Sequence, residues 1–302
     1  MRVLVLGADG QLGRELRRLP WPADAKLVAF DRFGLDITRR EAVFATIAGE
    51  RPDIVVNAAA YTAVDRAESE RDAAWAANCA GPGNIAAACR EAGIPLIHIS
   101  TDYVFDGTKI GPYREDDPVN PLGVYGASKE GGERAVREGL REHVILRTAW
   151  VYSAHGHNFV KTMLRLAVGL QPTGLSRGER PVLRVVADQT GSPTSAADVA
   201  GAIAVIARRV TNGNTAWGTY HFAGAGVVTW HGFAEAIFEL AARWRGPPPH
   251  IEAITTADYP TPARRPANSV LDCSRIAAAF AIEPRPWRLA LVEVIEELGQ
   301  RA

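Results

Sequence analysis

Tyr125 and Lys129 lie four residues apart in the segment YGASK (125–129). In a helix, residues i and i+4 share one face, so the phenol and the ammonium would lie side by side. A free tyrosine titrates near pH ~10, and a neighbouring cation favours its ionised form. The chain has only four lysines against 30 arginines, and arginine cannot play the same compact, tunable role. The pair therefore predicts a tuned phenol that donates a proton to a carbonyl oxygen as hydride reaches the carbon.

A threonine ends the predicted strand that precedes this pair. Thr101 lies in Ser100-Thr101-Asp102, directly after an apolar run. Ligands of doubly wound sheets bind at the carboxyl ends of the strands, where this hydroxyl could hydrogen-bond a substrate carbonyl together with the phenol. At this point two alternatives stay open: a strand-end turn for the threonine, and an exposed helical pair for Tyr125 and Lys129.

The segment GADGQLG (7–13) has the form GxxGxxG and lies between the first predicted strand and the first predicted helix. Gly7 allows a tight turn, Gly10 lets the backbone approach a pyrophosphate, and Gly13 allows close packing of strand and helix. The helix N terminus adds free N–H groups and the positive end of its dipole. We therefore expect a dinucleotide to bind here.

An acidic and a basic residue follow the second predicted strand. Asp31 comes 18 residues after Gly13, near the spacing at which an acid binds the adenosine ribose hydroxyls. Arg32 stands beside it and could receive a 2′-phosphate. The pair leaves NADH and NADPH open, and the alternative is an exposed charged turn.

Short apolar runs alternate with helical patterns in the first half of the chain. The runs are continuous, which is typical of strands covered on both faces, so the order of elements predicts an α/β fold with a doubly wound parallel sheet. Thr38 and Glu41 have the spacing of a capping box. The predicted strands are Val3–Leu6, Leu27–Phe30, Ile54–Asn57, Leu96–Ser100 and Val144–Arg147. The predicted helices are Gln11–Leu19, Arg39–Ala48, Ala73–Ala92 (interrupted near Gly81), Pro121–Leu140, Phe159–Leu170, Ala196–Arg209, Trp230–Trp244 and Trp287–Leu298.

The second half is less regular. We predict a dinucleotide-binding Rossmann domain over 1–150 and a smaller substrate-binding α/β region over 151–302, with the chain recrossing between the two. Residues 171–181 have the composition of a polar loop.

Composition excludes several classes of protein. The chain has 302 residues, with 34 basic and 34 acidic side chains, so the basic excess typical of nucleic-acid and anionic-membrane binders is missing. No apolar run approaches the ~20 residues needed to span a bilayer. Three cysteines without CxxC spacing indicate neither a disulfide framework nor a zinc knuckle. We expect a cytoplasmic protein that binds a small molecule.

Nine segments of the chain resemble the extended short-chain dehydrogenase/reductase family. Two of them, ISTDYVFDG (99–107) and YPTPARRPANSVLD (259–272), are typical of a subfamily that reduces nucleotide sugars and are far more specific than the glycine loop. The other seven are GADGQLGREL (7–16), RPDIVVNAAAYTAVDRAE (51–68), NPLGVYGASKEGGE (120–133), ILRTAWVYS (145–153), NFVKTMLRLA (158–167), VADQTGSPT (186–194) and TWHGFAEAIF (229–238).

The resemblance implies a role for each matching residue. Tyr125 would be the proton donor, Lys129 would tune it and anchor the nicotinamide ribose, and Thr101 would orient the carbonyl. Residues matched to the cofactor site are Gly10, Gln11 and Leu12 at the pyrophosphate, Asp36 and Ile37 at the adenine, and Ala58, Ala59 and Tyr61 after the third strand. Residues matched to the substrate site are Thr62, Asp102 and Trp150 near the sugar, and Arg265 and Asn268 in the C-terminal loop.

Some members of the family bind magnesium through glutamates at a dimer interface, and Glu15 matches one such position. Glu179 is a weaker match for a second ligand. The resemblance therefore implies a homodimer with Mg²⁺, provided that three acids converge on the ion.

The function implied is NADPH- or NADH-dependent reduction of the C4 ketone of dTDP-4-dehydro-L-rhamnose to dTDP-L-rhamnose. One alternative is a nucleotide-sugar dehydratase or epimerase of the same fold. Dehydratases usually carry an acid directly after Thr-Asp, and Tyr103 at that position argues against this class. The other alternative is a non-catalytic nucleotide-binding subunit, against which the presence of both Tyr125 and Lys129 argues.

Overall fold

A six-stranded parallel sheet forms the centre of the molecule. The computed structural model describes residues 1–169 and 182–301, and the strand order is β10-β5-β4-β3-β1-β2. The strands are β1 (Arg2–Leu6), β2 (Lys26–Phe30), β3 (Ile54–Asn57), β4 (Leu96–Thr101), β5 (His143–Thr148) and β10 (Gly218–His221). All neighbouring strands are parallel. The predicted α/β fold with a doubly wound parallel sheet is confirmed.

Helices cover both faces of this sheet. Val3 and Val5 of β1 lie in one hydrophobic cluster, and Leu4 and Leu6 lie in another on the opposite face. Both faces of the strand are therefore buried, which explains its continuous apolar run. The helices of this part are α1 (Gln11–Arg18), α2 (Arg40–Glu50), α3 (Val64–Ala67), α4 (Arg71–Trp75), α5 (Gly81–Ala92), α6 (Val124–Gly139) and α8 (Ala196–Thr211).

Two details of the predicted helices are wrong, and a third, the interruption near Gly81, is confirmed. Thr38 does not cap α2, because its hydroxyl donates to Asp36 Oδ1 at 2.8 Å and Arg39 is the capping residue. Helix α6 begins at Val124 rather than Pro121. The interruption of the long Ala-rich helix is a π-helical turn over Ala76–Ala80, just before Gly81.

The second half of the chain supplies one strand of the six-stranded sheet and a second hydrophobic core. Strand β10 pairs with β5, and α8 packs in the same cluster as α1. A separate cluster joins α7 (Phe159–Gly169), α9 (Trp230–Arg245) and α11 (Trp287–Gln300). The remaining elements are β6 (Val151–Tyr152), β7 (Val182–Val186), β8 (Thr190–Gly191), β9 (Thr194–Ser195), β11 (Val228–Thr229), β12 (His250–Ile254) and α10 (Ser274–Phe280).

The division of the chain at residue 150 stays a prediction, although β10 shows that residues beyond it return to the first sheet. The loop predicted over 171–181 and the end of the helix at Leu170 lie outside the described residues. Across the described ranges, no helix is long and apolar enough to cross a membrane.

A buried ion pair joins α6 to β5. Glu133 is completely buried and accepts from Arg147 at both oxygens, at 2.8 and 2.7 Å. Arg137, one helical turn further, adds a contact of 2.9 Å. Burial alone would raise the pKa of Glu133, but the hydrogen bonds and charge of Arg147 outweigh it and lower the pKa. The pair fixes the helix that carries Tyr125 and Lys129 to the strand beside β4.

Arg147→Met should therefore destabilise the protein strongly. It leaves the Glu133 carboxylate buried with only the half-exposed Arg137, and breaking a buried pair in this way costs about 3–5 kcal/mol. Arg137→Met is the matched control. Its free energy of unfolding should fall by only about 0–1 kcal/mol, because the Arg137 side chain is 36% exposed. Urea unfolding followed by circular dichroism measures both. Equal losses in the two variants would contradict the role given to Arg147.

Candidate active site

The glycine loop closes tightly on the strands beside it. Gly7 has φ +88°, and a Cβ there would lie 2.6 Å from the Ala59 nitrogen. A Cβ on Gly13 would collide with the Gly7 carbonyl oxygen, whereas one on Gly10 would lie 3.4 Å from it. Gly7 and Gly13 are thus required by packing, and Gly10 faces a more open space.

The N terminus of α1 can receive an anion. Gly10 is its N-cap residue and has no side-chain capping bond, so the first N–H groups of the helix have no side-chain acceptor. Gln11 uses its side chain elsewhere, since its Oε1 accepts from Asn158 Nδ2 at 2.8 Å. Leu12 packs against the core beneath. A pyrophosphate fits this donor set.

The predicted ribose-binding pair stands at the end of β2. Asp31 Oδ1 accepts from the Gly34 nitrogen at 2.7 Å, and Arg32 is exposed. Asp31 and Gly34 help to line a cavity of about 620 Å³ beside the glycine loop, which is within the usual size of small-molecule sites.

The other predicted cofactor residues surround the same strand ends. Hydrogen bonds from Thr38 hold the pKa of Asp36 below its usual value, and Ile37 is buried under α5. After β3, Ala58 donates to the Leu6 carbonyl oxygen at 2.9 Å. Ala59 follows it, and Tyr61 donates from its hydroxyl to Glu70 Oε2 at 2.7 Å.

Helix α6 approaches β4 and its neighbours closely. A Cβ on Gly126 would collide with the Tyr103 carbonyl oxygen, and one on Gly132 with the Asn78 carbonyl oxygen. This close approach brings the Tyr125 phenol beside the Thr101 side chain; burial raises the pKa of the phenol, and Thr101 acts against that rise. The predicted catalytic residues are thus brought together at the carboxyl end of β4.

Lys129, one helical turn after Tyr125 on α6, is almost fully buried. Its Nζ donates to the Ile99 carbonyl oxygen at 2.6 Å. An ammonium has three donors, and the ribose hydroxyls of a nicotinamide nucleotide are suitable acceptors for the others. Burial lowers the pKa of Lys129 to about 8, while the charge of Glu133 acts in the opposite direction.

The predicted tuning of Tyr125 by Lys129 is not seen in the structure. Burial raises the pKa of Tyr125 to about 12, the hydrogen bond from Thr101 lowers it, and the charge of Asp102 raises it. The reason is that desolvation of the phenolate dominates the environment of this side chain. The phenol therefore keeps its proton at neutral pH, as an acid must.

Asp102 and Trp150 are two of the residues predicted near the sugar. Asp102 is 2% exposed and shares a hydrogen bond of 2.9 Å with the Thr101 hydroxyl. Trp150 has φ +48°, its indole stacks on Trp230 at 3.4 Å, and its Nε1 donates to Ser269 Oγ at 3.0 Å. The backbone of Trp150 thus has a left-handed conformation, which non-glycine residues rarely adopt. The stacking and the hydrogen bond fix its indole.

The predicted residues of the C-terminal loop have different surroundings. Arg265 donates to Asp65 Oδ2 at 2.9 Å, and its guanidinium lies 6.0 Å from the ring centre of Tyr103. Asn268 uses both amide hydrogens on the carbonyl oxygens of residues 109 and 111, so it positions a loop rather than offering donors to a ligand. Thr62 is exposed after β3.

The predicted magnesium ligand, Glu15, lies beside an arginine and a histidine. Glu15 lies 3.9 Å from Arg18 and 3.8 Å from His155, and burial raises its pKa while Arg18 lowers it. Within the part of the chain that the structure describes, no group of three or more acidic, histidine or cysteine side chains could hold a metal ion. Glu179 lies outside the described residues.

Two residues of the site were missed in the sequence. Asn78 is completely buried; its Oδ1 accepts from the Tyr61 nitrogen at 2.8 Å, and its Nδ2 donates to Ser128 Oγ at 3.0 Å. It thereby ties the loop after β3 to α6. The signal available in the sequence was a polar residue in an Ala-rich helix. The structure places this residue in a π-helical turn, a feature that often marks functional sites. Ser269 lies in the segment 259–272 that carries the resemblance, but only the fold brings it to Trp150.

Comparisons with known proteins show which family the chain belongs to. The family model described as RmlD substrate binding domain matches residues 1–300. The dTDP-4-dehydrorhamnose reductase of Aggregatibacter actinomycetemcomitans is 44% identical over 297 residues, covering 97% of this chain and 98% of that protein. These matches confirm the resemblance seen in the sequence.

Two solved structures are similar over nearly their whole length. The dTDP-4-dehydrorhamnose reductase of Clostridium acetobutylicum has a TM-score of 0.89 and 37% identity, covering 99% of both chains. The enzyme of the same name from Bacillus anthracis, solved in complex with NADP, has a TM-score of 0.87 and 36% identity, covering 98% of this chain and 99% of that one.

Gly13→Ala and Gly10→Ala should differ in stability. The first variant places a methyl group against the Gly7 carbonyl oxygen and should lose about 1–3 kcal/mol of stability. The methyl group of Gly10→Ala has room, so the free energy of unfolding of this variant should lie within about 0.5 kcal/mol of that of the unmodified protein. Thermal unfolding measures both, and equal stability of the two variants would contradict the tight closure of the loop.

Proposed function

The chain belongs to the RmlD substrate binding domain family, and from this premise we propose that it reduces dTDP-4-dehydro-L-rhamnose to dTDP-L-rhamnose with NADPH. The observation that carries the proposal is the grouping of Tyr125, Thr101 and Lys129 at the carboxyl end of β4. Relatives with that activity in their names match almost the entire chain. The glycine loop and the open N terminus of α1 supply the dinucleotide site beside this group.

The reaction needs one hydride and one proton at the C4 carbonyl. The nicotinamide coenzyme supplies the hydride to carbon when bound. Tyr125 donates its phenolic proton to the oxygen as negative charge develops there, and the phenolate regains a proton from solvent. Thr101 orients the carbonyl by a second hydrogen bond, and Lys129 anchors the nicotinamide ribose. Placement of these groups together supplies most of the rate through proximity and proton transfer.

The two ends of the coenzyme have separate residues. Asp31 and Arg32 bind the adenosine ribose and its 2′-phosphate, since a guanidinium suits a phosphate. Support for NADPH comes from the similar Bacillus anthracis enzyme, which was solved with NADP. The remaining proposed contacts are Gly7, Gly10, Gln11, Leu12 and Gly13 at the pyrophosphate, and Asp36, Ile37, Ala58, Ala59 and Tyr61 along the nucleosides.

The nucleotide sugar would lie between the two cores. Thr62, Asp102 and Trp150 line the sugar, and Arg265 binds the diphosphate. Asn268 supports this surface from behind, because its amide is occupied by the loop at 109–111. The homodimer, the magnesium site at Glu15 and the cytoplasmic location stay predictions.

Tyr125→Phe should abolish most of the reduction while leaving coenzyme binding intact. The variant removes the proton donor without emptying the site, so kcat should fall about 10²–10⁴-fold. The measurement is the loss of absorbance at the nicotinamide band with NADPH and dTDP-4-dehydro-L-rhamnose, next to a titration of NADPH binding by fluorescence.

Tyr220→Phe is the control for this experiment. It removes a phenol hydroxyl that donates to the Ala216 carbonyl oxygen at 2.9 Å, away from the site, and kcat should stay within about twofold. An unmodified protein that does not oxidise NADPH would overturn the proposed function. Product formation without added NADPH would favour a dehydratase or epimerase, and full activity of Tyr125→Phe would favour a non-catalytic role for the site.

Arg32→Ala should weaken selection of NADPH. Loss of a charge-assisted contact with the 2′-phosphate should raise KM for NADPH about 10- to 100-fold and leave KM for NADH unchanged. Arg40→Ala, another exposed arginine nearby in sequence, is the control and should change neither value. Equal effects of Arg32→Ala on both coenzymes would show that the guanidinium does not read the phosphate.

A further inference from the structure

Asp102 is a buried carboxyl that the reduction described above does not use for proton transfer. It is 2% exposed, and its Oδ2 has no hydrogen-bond partner among the described residues. A buried carboxylate with an unsatisfied oxygen is costly, whereas a neutral carboxyl is much less so. The surroundings of Asp102 therefore favour the protonated form more than those of an ordinary aspartate do.

The Thr101 hydroxyl connects this carboxyl to the reaction centre. Its Oγ1 lies 2.9 Å from Asp102 Oδ1 and accepts from the Tyr103 nitrogen at 3.2 Å, and the Tyr125 phenol is its third neighbour. A hydroxyl has one hydrogen and two lone pairs. Three neighbours plus a substrate carbonyl therefore compete for three hydrogen-bonding positions.

The outcome of this competition depends on the proton of Asp102. When the carboxyl is ionised, it accepts the only hydrogen of Thr101, and the remaining lone pair faces the phenol of Tyr125. The Thr101 hydroxyl then has no hydrogen left for a substrate oxygen. When the carboxyl is protonated, it donates to Thr101 Oγ1, and the Tyr103 nitrogen fills the other lone pair. The hydrogens of Thr101 and Tyr125 are then both free for the carbonyl.

We propose that Asp102, in its protonated form, is a positioning residue that turns the Thr101 hydroxyl hydrogen toward the substrate carbonyl oxygen. The inference rests on the proposed function, since it concerns the carbonyl that is reduced. No atom of Asp102 enters the product. The proton that reaches the alcohol is still the one from Tyr125, and the carboxyl keeps its own proton throughout the step.

The groups that face Asp102 agree with this role. Burial raises the pKa of Asp102 to about 6, and the hydrogen bond with Thr101 is the largest of the interactions that act against it. The titratable neighbours are the phenols of Tyr103 and Tyr125, whose pKa values burial raises, so both are uncharged at neutral pH. A sugar seated over the site would remove further water and raise the pKa of Asp102 again.

The test is the pH dependence of kcat for Asp102→Asn. In the unmodified protein, kcat with saturating NADPH and keto sugar should fall about 10- to 100-fold as the pH rises through the pKa of Asp102 in the complex, because one donor to the developing charge is lost. In Asp102→Asn, the amide nitrogen donates to Thr101 Oγ1 at every pH. This fall should therefore disappear, while kcat at low pH stays within about tenfold of the unmodified value.

Glu115→Gln is the matched control. Glu115 is another carboxyl whose pKa burial raises, and its Oε1 accepts from the His221 nitrogen at 2.9 Å. A glutamine preserves that acceptor, so the variant should keep the fall in kcat. Thr101→Val is the second variant, and it should lower kcat and remove the same fall, because no hydroxyl is left to turn. Thermal unfolding establishes that each variant is folded.

Infrared difference spectra give a readout that does not need turnover. A protonated-carboxyl C=O band should titrate near pH 6 in the unmodified protein and in Glu115→Gln, and should be missing from Asp102→Asn. An unchanged fall of kcat in Asp102→Asn, or no such band in the unmodified protein, would overturn the inference. Absence of any NADPH oxidation by the unmodified protein would overturn the proposed function instead, and the infrared titration would still report the state of Asp102.

Discussion

The close contact between α6 and the end of β4 is the constraint on which the rest of the site depends. Gly126 and Gly132 leave no room for a side chain against the backbone of residues 103 and 78. Because the helix comes so near, the Tyr125 phenol reaches Thr101, and Lys129 is enclosed beside the Ile99 carbonyl oxygen.

The buried pair of Glu133 and Arg147 then holds the helix to β5. The geometry of the site is thus a result of backbone packing as much as of its polar residues.

Enclosure also sets the electrostatics of the site. Desolvation raises the pKa of Tyr125 and Asp102 and lowers that of Lys129, so each of these groups is shifted toward its neutral form. A neutral phenol is the form that donates a proton. The same low dielectric strengthens every hydrogen bond made to charge that develops on the substrate oxygen. One physical cause therefore prepares both the acid and its neighbours.

Much of this could be predicted from the sequence because local patterns carry it. The apolar runs from β1 to β5 gave the parallel sheet, and the glycine loop with the Tyr125 and Lys129 spacing marked the site. The environment of Tyr125 could not be predicted, since spacing shows that Lys129 is near but not how deeply both are buried. Asn268 was matched to the substrate, yet its amide is committed to residues 109 and 111. Contacts across long stretches of chain, such as Ser269 with Trp150, have no local signal.

The central claim is that the phenol of Tyr125 donates the proton at C4. A crystal structure with NADP⁺ and dTDP-L-rhamnose bound tests it most directly. The account predicts the C4 oxygen of the sugar within about 3 Å of both Tyr125 Oη and Thr101 Oγ1, with the nicotinamide ring over C4 and Lys129 at the ribose. A phenol oxygen turned away from the sugar, with another acid at C4, would contradict it.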